Sequence, residues 1–393
     1  MGIKSSTPLA HQFILHAKTL GIKTIYTDHS LYSFSDKGCI HVNKLLKYCI
    51  NDVDHSICVS HTNRENLVLR TESNPYKTSV IGNALDTTKF VPCISKRPKF
   101  PRINIIVISR LTYRKGIDLI VKVIPLVCQK YPFIKFIIGG EGPKRLLLEE
   151  MREKYHLHNS VVLLGKVKQE NVKNILQTGH IFLNTSLTEA FCIAIIEAAS
   201  CGLLVISTDV GGISEVLPHD MMILAKPNHI ELCKAVDKAL KIVQKVDSNL
   251  FHERISKYVC EYIMESAVSE CNIYKKEKDK NIIYKQERKC CICMVSDFFY
   301  PNLGGIETHI FELSKNLIKK GFKVIVVTNF NNNRHGIRWM GNGIKVYYLP
   351  FQPFLDVVSF PNIIGTLPLC RNILYREKVD IVHGHQVQEQ INK

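Results

Sequence analysis

Glu189 and Glu197 stand with seven residues between them in the stretch 180–216, HIFLNTSLTEAFCIAIIEAASCGLLVISTDVGGISEV, which reads as strand, loop, helix, strand and Gly-Gly turn. The apolar run Ile181 to Leu183 gives way to polar Asn184, Thr185, Ser186 and Thr188. Phe191, Ile195, Ile196 and Ala199 then recur at helical spacing until Gly202 stops the pattern. A helix that opens at the carboxyl end of a parallel strand aims free N–H groups and the positive end of its dipole at a ligand, so an anionic group belongs there. Glu197 falls inside that helix beside Ala194, Ala198 and Cys201, with room to accept hydrogen bonds from a sugar's vicinal hydroxyls. For Glu189 a second reading stays open. Ser186-Leu187-Thr188-Glu189 also fits a capping box, in which the carboxylate only satisfies a backbone N–H.

The opposite charge comes from Arg110 and Lys115, in Ser109-Arg110-Leu111 and Arg114-Lys115-Gly116. A planar fork and a point charge at a strand end can clamp a diphosphate leaving group; exposed cations in a turn are the plainer alternative. Asn302-Leu303-Gly304-Gly305 precedes a helix, where bare backbone can approach a phosphate. His29, His383 and His385 each follow a strand end and read either as hydrogen-bonded turn histidines or as a group converging on one domain edge. Gly139 to Pro143 ends a strand and opens a helix, as a tight turn does. Cys290, Cys291 and Cys293 cluster, but no second group of Cys or His lies at zinc-site spacing.

The elements that must position these residues alternate. Strands are expected at 104–109, 135–138, 161–164, 181–183, 203–207 and 221–224, with helices near 117–130, 143–156, 169–177, 191–201, 230–245 and 253–273. Six strands alternating with helices make a doubly wound parallel sheet. Before it, Thr7 and Pro8 open a helix that Gly21 closes, and strands follow at 23–27 and 56–60, with helices from Val42 and Thr62. After it, the charge-dense segment Lys275 to Lys289 reads as a solvated linker. A fresh strand-loop-helix unit then begins, with strands at 290–296, 323–328, 345–349 and 380–383 and helices from Ile306 and near 362–376. The last strand lacks a partner helix and the first residues supply one. Residues 290–393 therefore read as the front half, and 1–81 as the back half, of one Rossmann-like domain around an inserted domain at 82–274. The strand at 380–383 is expected beside that at 23–27 in one parallel sheet.

Composition narrows the function. A formal charge of +17 over 393 residues asks for an acidic partner: nucleic acid, an anionic membrane surface or a phosphorylated substrate. The Lys and Arg are scattered over helix faces without the aromatic-basic signature of a nucleic-acid module, so no nucleic acid is expected. Of the 14 cysteines, Cys58, Cys192, Cys201 and Cys291 sit inside apolar segments as free core thiols do, which fits a reducing compartment. Neither a signal peptide nor an apolar run long enough to span a bilayer is present. The motifs G-x-G-x-x-G and G-x-x-x-x-G-K-[ST] do not occur, which argues against a nicotinamide enzyme and a P-loop ATPase.

In this order the residues resemble the donor domain of family 4 retaining glycosyltransferases, which have the α/β two-Rossmann GT-B fold. More narrowly, TDHSLYSF, SRLTYRKGIDL, IIGGEGPKR, GHIFLNTSLTEAFCIAIIEAASCGL and MVSDFFYPNLGGIETHI resemble the phosphatidylinositol N-acetylglucosaminyltransferase family. The resemblance implies transfer of N-acetylglucosamine from UDP-GlcNAc to phosphatidylinositol in the membrane, the first step of GPI-anchor biosynthesis. It places that step on the cytoplasmic face of the endoplasmic reticulum, together with other subunits of a transferase complex and with no metal or other cofactor. On that pattern Arg110 and Lys115 hold the UDP phosphates, Glu197 the ribose hydroxyls, and Glu189 with the Phe191 and Cys192 backbone the donor sugar. Gly304 and Gly305 then hold the diphosphate from the other domain, His29 is the cleft histidine near the reacting sugar, and His383 and His385 fall on the acceptor side. The order departs from the family, because its N-terminal block stands last here, as in a circularly permuted acceptor domain that is discontinuous in sequence. The membrane-spanning C-terminal helix of many relatives is absent. Competing expectations are an idle nucleotide-binding remnant, a mis-joined gene product, and a related transferase with another lipid acceptor.

Overall fold

A computed structural model describes residues 9–32, 37–83, 85–259, 289–301, 304–330, 334–350 and 360–386. They divide into two α/β units: one combines the residues up to Ile81 with those from 289 onward, and the other is the intervening chain from Gly82. In chain order the first part holds α1 (Leu9–Thr19), β1 (Lys23–Asp28), α2 (Lys37–Ile50), β2 (His55–Cys58), α3 (His61–Thr71) and β3 (Thr78–Val80). The inserted unit holds β4 (Ile103–Ile108), α4 (Ile117–Lys130), β5 (Ile134–Gly139), α5 (Arg145–Lys154), β6 (Val161–Gly165), α6 (Gln169–Leu176), β7 (Ile181–Asn184), α7 (Ile193–Ser200), β8 (Leu204–Thr208), β9 (Met222–Ala225) and α8 (His229–Ile242). The last part holds β10 (Cys291–Val295), α9 (Gly305–Lys319), β11 (Lys323–Asn329), β12 (Gly336–Trp339), β13 (Lys345–Leu349), α10 (Phe360–Glu377) and β14 (Ile381–Gln386).

The inserted unit is a six-stranded parallel sheet of order β6-β5-β4-β7-β8-β9. Its strands are apolar on both faces, as strands between two helical layers must be. Ile103, Ile105 and Val107 join one core with α4 and α8, while Ile106, Phe182 and Val205 join another with α6 and α7. The expected helix at 253–273 is described only to residue 259, and residues 248–259 are helical.

The other unit is an eight-stranded sheet of order β12-β13-β11-β10-β14-β1-β2-β3. Both ends of the chain meet in its middle. β14 pairs in parallel with β10 on one side and with β1 on the other, with Ile381 opposite Lys23 and His385 opposite Thr27. α1 packs over β14, close enough that a Cβ at Gly384 would come within 2.9 Å of Ile14 and 3.1 Å of Ala10. The proposed cap Thr7 and Pro8 lie outside the described residues, as do Asn302, Leu303 and the linker up to 288. The first described residue of α1 has a partner remote in sequence: the Leu9 N–H donates to Asp297 Oδ1 at 2.8 Å. Burial pushes the Asp297 carboxyl up to about 6, opposed by the hydrogen bonds from Leu9 and Asn329.

Three details differ from the sequence reading. α2 begins at Lys37, ahead of the Val42 expected. The helix expected from 191 begins at Ile193. β12 was not expected: all four of its residues are exposed on an antiparallel edge, so it carries no burial alternation to read. The Cys290 group is not a metal cluster, for Cys291 and Cys293 lie in β10 with their side chains in the core.

Candidate active site

In the inserted unit the loops that follow β4, β5, β7 and β8 are tied to one another, and the ties place the charged residues. Leu187 N–H donates to Arg114 O at 2.8 Å, and Thr185 Oγ1 to Lys115 O at 2.9 Å. Gly116 takes the left-handed conformation, φ 69°, before α4, and a Cβ there would lie 1.8 Å from the Thr185 carbonyl oxygen. From the other side Leu111 N–H donates to Glu141 O at 2.9 Å, and Gly212 N–H to Glu189 O at 2.9 Å. The Gly-rich loop after β5 thus braces the β4 loop, beyond making a tight turn. Gly116→Ala combines a strained φ with a backbone clash, and should lower unfolding free energy by about 1 to 3 kcal/mol in urea titrations.

Those ties bring Lys115 and Glu189 together. The Lys115 ammonium bonds Glu189 Oε1, and both side chains are mostly buried. Burial by itself would lower the Lys115 pKa, but the Glu189 carboxylate outweighs it and holds the group above the ordinary lysine value; Arg110 acts in the opposite sense. Arg110 itself is exposed. Ser186 Oγ lies 2.9 Å from both Glu189 Oε1 and Asn184 Oδ1. The capping-box alternative for Glu189 fails, because α7 starts at Ile193 with Cys192 as its N-cap, whose side chain makes no capping bond. Glu189 precedes the helix, and its side chain is engaged by Lys115.

Phe191 is half-buried and Cys192 buried at that helix start. Burial, with Glu189 adding, pushes the Cys192 thiol up to about 12, so it is no thiolate nucleophile. Glu197 sits within α7, 8% exposed, and Gln169 Nε2 at the start of α6 donates to its Oε1 at 3.3 Å. Burial pushes its pKa up to about 7, with the Gln169 bond opposing. Gln169 was not singled out from the sequence, since one Gln at a helix start carries no local signal.

The remaining residues lie in the other unit. His29 follows β1, His383 and His385 lie in β14, and His309, which the sequence reading missed, lies near the start of α9. His29 Nε2 is 3.4 Å from His385 Nδ1, and His383 Nε2 is 2.7 Å from Thr27 Oγ1. Convergence on one edge is the reading that holds. Burial lowers all four imidazoles, His383 to about 3 and His309 to about 4. The end of β1 is anchored by a buried ion pair of Asp28 with Arg70 at 2.6 Å, which sits over the Tyr32 ring. Gly304 is the N-cap of α9 in extended backbone, φ −156°, and Gly305 begins the helix. Glu307 Oε2 would lie 2.4 Å from a Cβ at Gly304, so a carboxylate already covers that helix start.

Comparison with known proteins finds relatives for both units. Residues 95–250 match the model for glycosyl transferases group 1, and residues 2–36 and 329–393 match that for PIGA (GPI anchor biosynthesis). The chain is 52% identical over 256 residues to a phosphatidylinositol N-acetylglucosaminyltransferase subunit of Arabidopsis thaliana, covering 65% of this chain and 57% of the relative. With the Homo sapiens protein of the same name it shares 55% over 236 residues, covering 60% and 48%. It thus spans about half the length of the curated relatives it matches. Among solved structures, HepE of Anabaena, crystallised with UDP, superposes with a TM-score of 0.57 at 18% identity over 66% of this chain and 76% of its own. Sucrose-phosphate synthase of Thermosynechococcus elongatus gives 0.55 at 20% over 65% and 68%. These likenesses show the GT-B fold. A segment similar to group 1 glycosyl transferases thus lies in the inserted unit, and segments similar to PIGA proteins lie in the other.

Proposed function

We propose that the protein transfers N-acetylglucosamine from UDP-GlcNAc to phosphatidylinositol with retention of anomeric configuration, the step that opens GPI-anchor biosynthesis. The observation that carries this is the Lys115–Glu189 pair in the loop that leads into α7, whose N-cap Cys192 makes no side-chain capping bond. A cation and helix N–H groups there favour a diphosphate, and the neighbouring carboxylates suit sugar hydroxyls. Lys115 and Arg110 take the phosphates, Glu197 the ribose, and Glu189 with the Phe191 and Cys192 backbone the GlcNAc. Gly304-Gly305 is assigned to the diphosphate, which has to displace Glu307 from the start of α9. His29, with His383 and His385 behind it, is assigned to the acceptor hydroxyl. No side chain is placed as a nucleophile, so front-face attack, with the leaving phosphate taking the proton, is the reading adopted. Charge growing on that phosphate is met by the two cations.

The acceptor-side unit is read as the family's domain in rotated order. β14, β1 and the α1 packed on them support this, because they stand as a strand-helix-strand crossover would although β14 comes last in the chain. Work at the cytoplasmic face of the endoplasmic reticulum, within a complex of other subunits, belongs to the same proposal. Among the described residues no helix is long and apolar enough to cross a membrane. The test is incorporation of label from UDP-GlcNAc into a phosphatidylinositol-containing membrane, with GDP-mannose and a second lipid acceptor alongside. Label passing only from UDP-GlcNAc and only to phosphatidylinositol is expected. Binding of UDP without any transfer would instead favour an idle nucleotide-binding protein.

A further inference from the structure

The proposed transfer gives His29, His383 and His385 an acceptor-side role and leaves His309 without one. His29, His309 and His385 each bring one ring nitrogen to within 4.8 Å of the other two, and among the described residues they are the one group of three so placed. We propose that these imidazoles bind a single divalent transition-metal ion, Zn2+ foremost. Zn–N bonds of about 2.0 to 2.1 Å put tetrahedral ligand nitrogens roughly 3.4 Å apart. His29 Nε2 and His385 Nδ1 are already 3.4 Å apart, so the third ring closes the set by a modest turn. The two facing nitrogens share at most one proton, and an ion between them replaces one shared contact with two bonds. His29 Nδ1 and His385 Nε2 have no hydrogen-bond partner among the described residues, so neither ring is pinned through its far nitrogen.

The support around the site is rigid. His385 lies in a central strand whose neighbour, at Thr27, directly precedes the residues leading to His29. His383, held by Thr27 Oγ1, packs its ring against His385 at 4.2 Å between centroids. His309 comes from a long helix, α9, and its ring stands edge-on to His29 at 5.2 Å and to His385 at 5.6 Å. His385 and His309 thus stand on regular elements, which hold ligand geometry better than loops, and His29 directly follows the end of β1. The donor set is nitrogen only, which suits Zn2+, Co2+ or Cu2+ and disfavours Mg2+ and Ca2+, whose ligands are oxygens. Three protein ligands leave a fourth position for water or a small anion. Binding stands on this geometry alone; its consequence, inhibition of transfer through capture of His29, rests on the function proposed above.

The test uses the full chain, stripped with a chelator and titrated with Zn2+ by calorimetry and with Co2+ by visible absorption. One ion per chain is expected, with an intense tetrahedral Co2+ spectrum that one equivalent of Zn2+ removes, and no response to Mg2+. His309→Asn should weaken Zn2+ by about 100-fold or more, beyond the 10- to 100-fold typical of residues behind the ligands. It should also abolish the rise in unfolding temperature that Zn2+ gives the parent protein. Unchanged affinity in a folded His309→Asn variant overturns the proposal. So does a purely octahedral Co2+ spectrum on the parent protein, which needs no variant to fold. Zn2+ that binds as described yet leaves transfer untouched supports the site and counts against the role given to His29.

Discussion

Replacing Lys115 by Ala should lower the proposed GlcNAc transfer roughly 100- to 1,000-fold, with most of the loss in kcat. An ammonium beside a leaving diphosphate meets charge that grows as the glycosidic bond breaks, and a preorganised donor of this kind is worth about 3 to 4 kcal/mol. The structure adds why this side chain is preorganised. Glu189 grips it, Ser186 stands 2.9 Å from the same carboxylate oxygen, and the Thr185 hydroxyl fixes the Lys115 backbone. Because Glu189 also raises the lysine's pKa, the ammonium stays charged through the whole physiological range. Lys115→Ala opens no core cavity but leaves the mostly buried Glu189 carboxylate without its cation, so the denaturation midpoint should fall, and activity is read on protein shown to be folded. Steady-state kinetics with labelled UDP-GlcNAc separates the outcomes. A rise in KM at unchanged kcat would make Lys115 a ground-state binder, and near-normal kcat/KM would remove it from the site altogether.

How much of this was legible in the sequence depends on the reach of each interaction. The six-strand alternation from Ile103 to Ala225 was readable because buried parallel strands are short apolar runs separated by helical periods. The charged loops were readable as chemistry because Gly116, Gly140 and Gly142 mark the strand ends where they sit. Glu189 was ambiguous because a capping box is a four-residue pattern, whereas the true helix start is fixed by partners far away. Gly212 N–H bonds the Glu189 carbonyl, and the β4 loop bonds Leu187, so the chain stays outside the helix through Cys192. The same distance effect hid Asp297 as the partner of the Leu9 N–H, Gln169 as the partner of Glu197, and His309 as the third ring beside His29 and His385. His309 in particular occurs alone in an amphipathic helix, where it reads as an ordinary polar-face residue. β12 escaped for the opposite reason, having no buried side chain to set a period.

Glu197→Gln should move stability and ligand affinity in opposite directions. In the folded, ligand-free protein the Glu197 pKa stands at about 7, against 4.5 for an ordinary glutamate, because the side chain is buried in α7 with only the long Gln169 bond to oppose the burial. Between those two values the folded chain holds a proton that the unfolded chain has lost, so stability falls as pH rises through this window. Below about 4.5 both states are protonated and nothing is lost. Above about 7 the fold carries a buried, weakly partnered carboxylate, and the interval between the two values corresponds to about 3 kcal/mol. Glutamine has the same shape and no charge, so the variant should unfold at higher denaturant than the parent at pH 8, by up to about that amount, and at nearly the same denaturant at pH 4. A carboxylate kept at such a cost is explained if it accepts two ribose hydroxyls. An amide accepts through one oxygen without charge, so UDP should bind the variant more weakly by about 1 to 3 kcal/mol. Urea titrations at the two pH values and UDP calorimetry at pH 8 read both effects. A variant that loses stability at pH 8 with unchanged UDP affinity would make Glu197 a structural residue of α7.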